Sequence, residues 1–322
     1  MSNDLKKLRI GTRGSPLALV QTHMVRDALL AAHDNLEIEV KIIKTSGDWC
    51  PQDGEVRLAV DAGGKAQFAK EIEEALLAGA IDCAVHSMKD METKLPQGLE
   101  IKHMLPREDA RDAILFNNLA DNGQNISDLP HGAVVGTASV RRQAFLLSKR
   151  PDLKIVPFRG NVQTRIEKLR AGQVDATLLA IAGLNRLGLA DEASSILGTQ
   201  DMLPAAAQGA VGIEARTGDD EISSLFDAIG CNITFLRVSA ERAVLEVLDA
   251  SCHTPIGAYA EFENGEIHLQ AMVVSLDGAQ SYAHETTGAV ENAQDAQALG
   301  RAVGEALKAE MPAGFLDQQV ED

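Results

Sequence analysis

Short apolar runs alternate with amphipathic stretches through the first two thirds of the chain. "LRIGT" at 8–12 reads as a strand. "PLALVQTHMVRDALLAAH" then repeats apolar residues at helical spacing, with Ser15 as N-cap and Pro16 in the first turn. "EIEVKIIKT" is a second strand, and 46–67, rich in Gly and charge, is a long loop. A loop of that length in a compact domain usually has a function of its own. "FAKEIEEALLAG" is a helix stopped by Gly79, and "AIDCAVHSMKD" is a strand running into a polar loop. The pattern then repeats as strand and helix in "GAVVGTASVRRQAFLLSKR", "KIVPFRGNVQTRIEKLRAG" and "QVDATLLAIAGLNRLG".

Two internal echoes occur in the same order. "IGTRGS" from Ile10 matches "VGTASV" from Val135, and "AGAIDCAV" from Ala78 matches "AGQVDATL" from Ala171. They predict two similar α/β lobes with mostly parallel sheets and helices on both faces. The first lobe spans 1–105 and 205–228, because "AAAQGAVGIEAR" reads as a strand returning to it; the second spans 106–204. The last part, 229–322, changes character. A helix, "TFLRVSAERAVLEVLDA", precedes alternating segments punctuated by Asn-Gly and Asp-Gly, and a final helix closes the chain. That predicts a small α+β domain with a three-stranded antiparallel sheet.

Composition narrows the partners. The 322 residues are 45% hydrophobic but only 3% aromatic, so the cores should be aliphatic. The net charge of −17 argues against nucleic acid and anionic membranes. The N-terminus lacks the apolar core of a signal peptide, which points to the cytoplasm, where disulfides are rare. None of Cys50, Cys83, Cys231 and Cys252 forms a Cys-x-x-Cys pair, so no metal site is expected; Cys83 and Cys231 read as buried thiols.

Against the acidic whole, residues 137–170 carry nine Lys and Arg but two Asp and Glu. Lys149, Arg150, Lys154, Lys168 and Arg170 read as solvated helix faces. Arg141, Arg142, Arg159 and Arg165 sit where strands end and helices begin. Arg13 holds the matching place in the first lobe, and Arg186 follows a strand of the second. Ligands of α/β lobes gather at such strand ends, and the Gly-Thr turns (Thr137 among them) and the "HSMKD" loop (with Ser87) should line a cleft there. Helix N-termini plus guanidinium groups suit anions. No phosphate-binding Gly-rich Lys loop is present, so the expected ligand is a small polycarboxylate. In "HSMKD", Lys89 and Asp90 lie at the loop tip, and His86 reads as a structural histidine. A carboxylate fixed there can stabilise a developing cation. Cys252, beside His253, is open to four readings: nucleophile, metal ligand, attachment point or core thiol. A nucleophile–base pair of adjacent residues lacks an orienting third group, and zinc would need more ligands.

The chain resembles the porphobilinogen deaminase family. The resemblance is carried by "LRIGTRGSPLAL", "GGKAQFAKEIEEALL", "DCAVHSMKD", "REDARDA", "GTASVRRQ", "RGNVQTRIEKL", "AIAGLNRLG", "LPAAAQGAVGIE" and "CHTPIGAYAE", in order and over nearly the whole length. It implies two lobes like those of type II periplasmic binding proteins and a C-terminal domain that carries a cofactor. It implies stepwise head-to-tail joining of four porphobilinogen molecules, each losing ammonia, on a covalent dipyrromethane primer, then release of hydroxymethylbilane. By the same resemblance Cys252 anchors the dipyrromethane through a thioether, and Asp90 is the catalytic carboxylate. Arg13, Ser15, Lys65, Ser87, Lys89, Thr137, Ser139, Arg141, Arg142, Arg159, Gly160, Arg165 and Arg186 would hold cofactor and substrate. A monomer is implied, with no nucleic-acid or membrane partner. The competing reading is a non-catalytic two-lobed polycarboxylate-binding protein. The chain departs from the family pattern at Ala250-Ser251, where Gly-Gly is usual, and at Ala207, Ala66, Asp61 and Met91-Glu92.

Overall fold

The computed structural model describes residues 6–45, 66–117, 125–250 and 254–316. They fall into two compact units: 6–45, 66–108 and 210–235 in one, the remainder in the other.

The first unit holds β1 (Lys6–Thr12), α1 (Pro16–Ala32), β2 (Leu36–Ile42), α2 (Ala66–Leu77), β3 (Cys83–Ser87) and β4 (Leu99–Met104). A late strand, β10 (Val211–Arg216), completes its sheet, whose order is β2-β1-β3-β10-β4. β10 runs antiparallel to both of its neighbours, while β1 is parallel to β2 and β3. The strand expected to return to the first lobe therefore does so. Ser15 caps α1 through a bond from the Ala18 amide to its hydroxyl oxygen, and Pro16 opens the first turn. Gly79, at φ +68, ends α2. The core is aliphatic apart from Phe226, as the scarcity of aromatics implied.

The second unit holds β5 (Asp112–Phe116), β6 (Val134–Gly136), α3 (Val140–Lys149), β7 (Lys154–Val156), α4 (Val162–Arg170), β8 (Ala176–Ala180), α5 (Ile181–Arg186) and β9 (Ser195–Ile196). Its sheet order, β7-β6-β8-β5-β9, repeats the first sheet element for element. β5 takes the place of β10 and is likewise the antiparallel strand.

The echoes have a shared physical basis. The Asp82 carboxylate accepts the Arg9 amide at 2.8 Å, and the Asp175 carboxylate accepts the Val134 amide at 2.7 Å. In each lobe the same Asp also donates its own amide back to that strand residue. Gly11 and Gly136 follow two residues later, at or next to the ends of the paired strands. A Cβ at Gly136 would lie 2.6 Å from the Phe158 ring, which leaves no room for a side chain, and one at Gly11 would lie 2.3 Å from the terminal methyl of Ile81, which would have to shift.

The second unit also contains β11 (Ile256–Glu263), β12 (Glu266–Val274), β13 (Ser281–Ala289) and α8 (Ala293–Glu310), and most of α7 (Asn232–Val247), which starts in the first unit after α6 (Asp220–Phe226). The three strands form the expected antiparallel meander. Asn264 and Gly265, at φ +53 and +85, make a two-residue turn between β11 and β12. This sheet, α7 and α8 share one core. It sits against the second lobe, where Val274 joins the lobe's core and the Ala258 amide donates to the Pro204 carbonyl at 3.0 Å. Among the described residues no helix is long and apolar enough to cross a membrane. Cys83 is buried as expected, whereas Cys231 is only half-buried, at the entry to α7.

Candidate active site

The expected site residues of the first unit come together. β1 and the N-terminus of α1 present Arg13 and Ser15; β3 and the 3₁₀ turn Met88–Asp90 present His86, Ser87 and Asp90. These line one open pocket of about 70 Å³. Its floor is held by Gln21, buried on α1, whose amide nitrogen donates to the Ser87 hydroxyl at 2.8 Å. Lys89 follows in the same turn and is partly buried. Met91, one of the departures from the family pattern, is buried at the pocket's edge.

Behind the pocket, the fully buried Glu214 of β10 lies with Oε2 2.8 Å from Nε2 of His86. Nearby on α2, burial and the charge of Glu214 push the Glu73 carboxyl up to about 7. Neither glutamate was singled out from sequence. The signal for Glu214 was present: it is one acidic residue inside the apolar run "AVGIEA".

In the second unit, Thr137, Ser139 and α3 follow β6, while Arg159, Gly160 and α4 follow β7. Ser139 and Asn161 cap their helices as Ser15 caps α1. The Thr137 hydroxyl oxygen accepts the Ser139 amide at 3.1 Å. Gly160, at φ +120, lets the chain turn into α4, and Arg165 donates back to its carbonyl at 2.9 Å. Arg186 donates to the Gly209 carbonyl at 2.7 Å.

Arg141 and Arg142 differ from the expectation of open ligand-binding groups. They are 4% and 5% exposed, and both grip the fully buried Asp112, each at 2.7 Å. Arg141 also donates to the Leu203 carbonyl and Arg142 to the Leu178 carbonyl. Burial alone would raise the Asp112 carboxyl. The two guanidinium charges outweigh it and hold the group well below the usual carboxylate range. Gln208 is the third residue to donate to it, at 3.0 Å. Asp112 lies in "REDARDA", a segment whose role was not legible from sequence. Two cations on one carboxylate leave a net positive charge, and the buried Nε of Arg141 makes no hydrogen bond among the described residues. That arrangement suits a further anionic acceptor, so the donor set fits a group rich in carboxylates. Lys65, Cys252 and its neighbours Ser251 and His253 lie outside the described residues.

The family described as "Porphobilinogen deaminase, dipyromethane cofactor binding domain" matches residues 8–224, and "Porphobilinogen deaminase, C-terminal domain" matches 235–309. A porphobilinogen deaminase of Nitrobacter hamburgensis is 53% identical, with 90% of this chain and 89% of that protein covered. One of Paracoccus denitrificans is 47% identical, with 98% of each covered. A chloroplastic one of Oryza sativa is 47% identical over 96% of this chain and 86% of that protein. Among solved structures, an arginine-specific periplasmic binding protein of Salmonella typhimurium is 14% identical, covers 70% of this chain and 92% of its own, and superposes with a TM-score of 0.40.

Proposed function

The chain belongs to the porphobilinogen deaminase family, and on that basis we propose how its own residues carry the family's reaction. It is a transferase, a hydroxymethylbilane synthase: four porphobilinogen molecules are joined head to tail with loss of ammonia, and the protein carries a dipyrromethane cofactor. The alternative of a non-catalytic binding protein is not favoured.

The observation that carries the residue assignment is the single pocket shared by Arg13, Ser15, Ser87 and Asp90. Asp90 is the catalytic carboxylate. It stabilises the positive charge that develops on the pyrrole as the C–N bond breaks, and an anion already fixed in place does so without reorganising. Arg13 and Lys89 bind substrate carboxylates beside it. Ser15 and Ser87 orient the ring, and Gln21 holds Ser87 in place. In the second unit Arg141, Arg142, Arg159, Arg165 and Arg186 bind the acetate and propionate groups, on the turns built by Thr137, Ser139 and Gly160. Lys65 contributes from the loop before α2. When bound, the cofactor supplies the acceptor carbon for the first condensation, and Cys252 is its covalent anchor. The three-stranded sheet with α7 and α8 is the cofactor-carrying domain, on boundaries of 1–105 with 205–228, 106–204 and 229–322. The protein works as a cytoplasmic monomer.

Intact-mass measurement tests the anchor. The purified protein should be heavier than its chain by one dipyrromethane, and Cys252→Ser should lose that mass; a bare-chain wild type that consumes no porphobilinogen would overturn the assignment. Asp90→Ala should fold but lose at least about a hundredfold in turnover; near-normal turnover would refute its role.

A further inference from the structure

The pocket around Asp90 is backed by a second layer of titratable groups. His86, on β3, lines the pocket itself. Its partner Glu214, on the neighbouring β10, is fully buried. The second oxygen of Glu214, Oε1, is also buried and makes no hydrogen bond among the described residues. A purely structural His–Glu pair would be expected to satisfy both oxygens, since a buried unsatisfied acceptor is costly. This one is left with an open acceptor behind a histidine that faces the pocket.

Glu73 extends the cluster from α2. Burial is the largest influence on it, raising its carboxyl to about 7; Glu214 pushes the same way, His86 opposes, and Glu92 in the loop after the 3₁₀ turn adds to the rise. His86 on β3 and Glu214 on β10, two strands packed on α2, are thus the charges from the sheet that act on Glu73. Arg13 and Asp90 are the charged groups on the pocket side.

The chemistry needs such a group. Each condensation forms a bond between the aminomethyl carbon of the incoming pyrrole and the α-carbon of the acceptor pyrrole. The C–N bond breaks and its electron pair leaves with nitrogen. The α-carbon loses its proton as aromaticity returns. The balance is one C–H proton released and one proton taken up by the neutral aminomethyl nitrogen, which leaves as ammonia. A group that accepts the first and supplies the second works best when it titrates near the working pH.

We propose, on the premise that the deaminase reading holds, that Glu73, His86 and Glu214 form one proton store that receives the proton lost in each condensation and returns it to the departing amine. His86 is the member that meets the pocket. Glu73 and Glu214 are positioning residues that act through it.

The test uses the cofactor-loaded enzyme and three variants, Glu73→Gln, Glu214→Gln and His86→Asn. The pH dependence of kcat is followed across the neutral range, and that of the melting temperature from below 4.5 to above 7. His86→Asn should lower kcat by about a hundredfold with KM little changed. Glu73→Gln should shift the ionisation seen in kcat. The melting profile gives a readout independent of turnover. A folded-state pKa above the unfolded one means stability that is full below the unfolded value and is lost as pH rises to about 7, so the wild type should lose melting temperature over that window and Glu73→Gln should lose less. Unchanged kcat profiles in both Glu73→Gln and His86→Asn would overturn the proposal. If a buried-site variant fails to fold, Glu73→Gln, on the half-buried face of α2, decides alone. A wild type that consumes no porphobilinogen would defeat the deaminase reading instead, and the melting profile would still show whether the cluster holds a proton.

Discussion

Ala207 is buried and holds φ +61, a conformation that favours glycine. Its amide donates to the buried carboxylate of Glu241 at 2.6 Å, and the other oxygen of that carboxylate accepts the Ala260 amide at 2.8 Å. Glu241 therefore joins the 204–209 segment to β11, and the backbone at 207 is kept in place by that bond despite its side chain. The departure from the family's usual glycine was visible in the sequence; its backbone cost was not. Ala207→Gly should stabilise the protein by roughly 0.5–1 kcal/mol, the relief of left-handed strain less the greater freedom of the unfolded chain. Urea unfolding measures it, and a loss of stability would show that the Ala207 methyl packs favourably enough to outweigh the strain. The same distinction applies to Arg141 and Arg142. Their position before a helix and their charge were legible. Their grip on Asp112 was not, because that carboxylate is 29 and 30 residues away in sequence.

At the scale of elements, the duplicated strand-turn-helix units were readable because each echo encodes a local requirement. Gly sits at or next to a strand end where a Cβ would crowd a packed side chain, Ser caps the helix, and Asp ties the following strand to the first. β4, β5 and β9 carried no such signature, since their partners lie far along the chain. Asp112, at the start of β5, ties that strand to α3 and to the segment holding Gln208. Asp112→Asn should cost about 3–5 kcal/mol, because it leaves two buried guanidinium groups without a counter-charge. The wild type should also lose stability as pH falls through the acid range, because a depressed carboxyl stabilises the fold only above its unfolded pKa. Thermal unfolding of the wild type and Asp112→Asn across that range checks both; parallel pH profiles would show that Asp112 is not the group responsible.

At the scale of the molecule, the three-stranded sheet and the second lobe share an interface in which one turn fits closely against α3. Gly278, at φ +76, sits in the loop between β12 and β13, where a Cβ would lie 2.3 Å from the Ser148 amide nitrogen at the end of α3. Gly265, at φ +85 in the other hairpin, has nothing within 4 Å of the same position. Gly265→Ala should cost only the backbone strain, about 1 kcal/mol. Gly278→Ala should cost about 1–3 kcal/mol more, because the turn must move off α3. Equal melting temperatures for the two variants would show that the contact with α3 contributes nothing. Amino-acid order alone determined the two lobes, the meander, the acidic balance and the family, because strand and helix periods, caps, turn residues and motif order are properties of neighbours in the chain. Tertiary structure alone decided which charges meet. Asp112 neutralises part of the arginine pair, Glu214 backs His86, and Glu241 holds Ala207, since a buried charge takes its meaning from partners that the chain brings together only on folding.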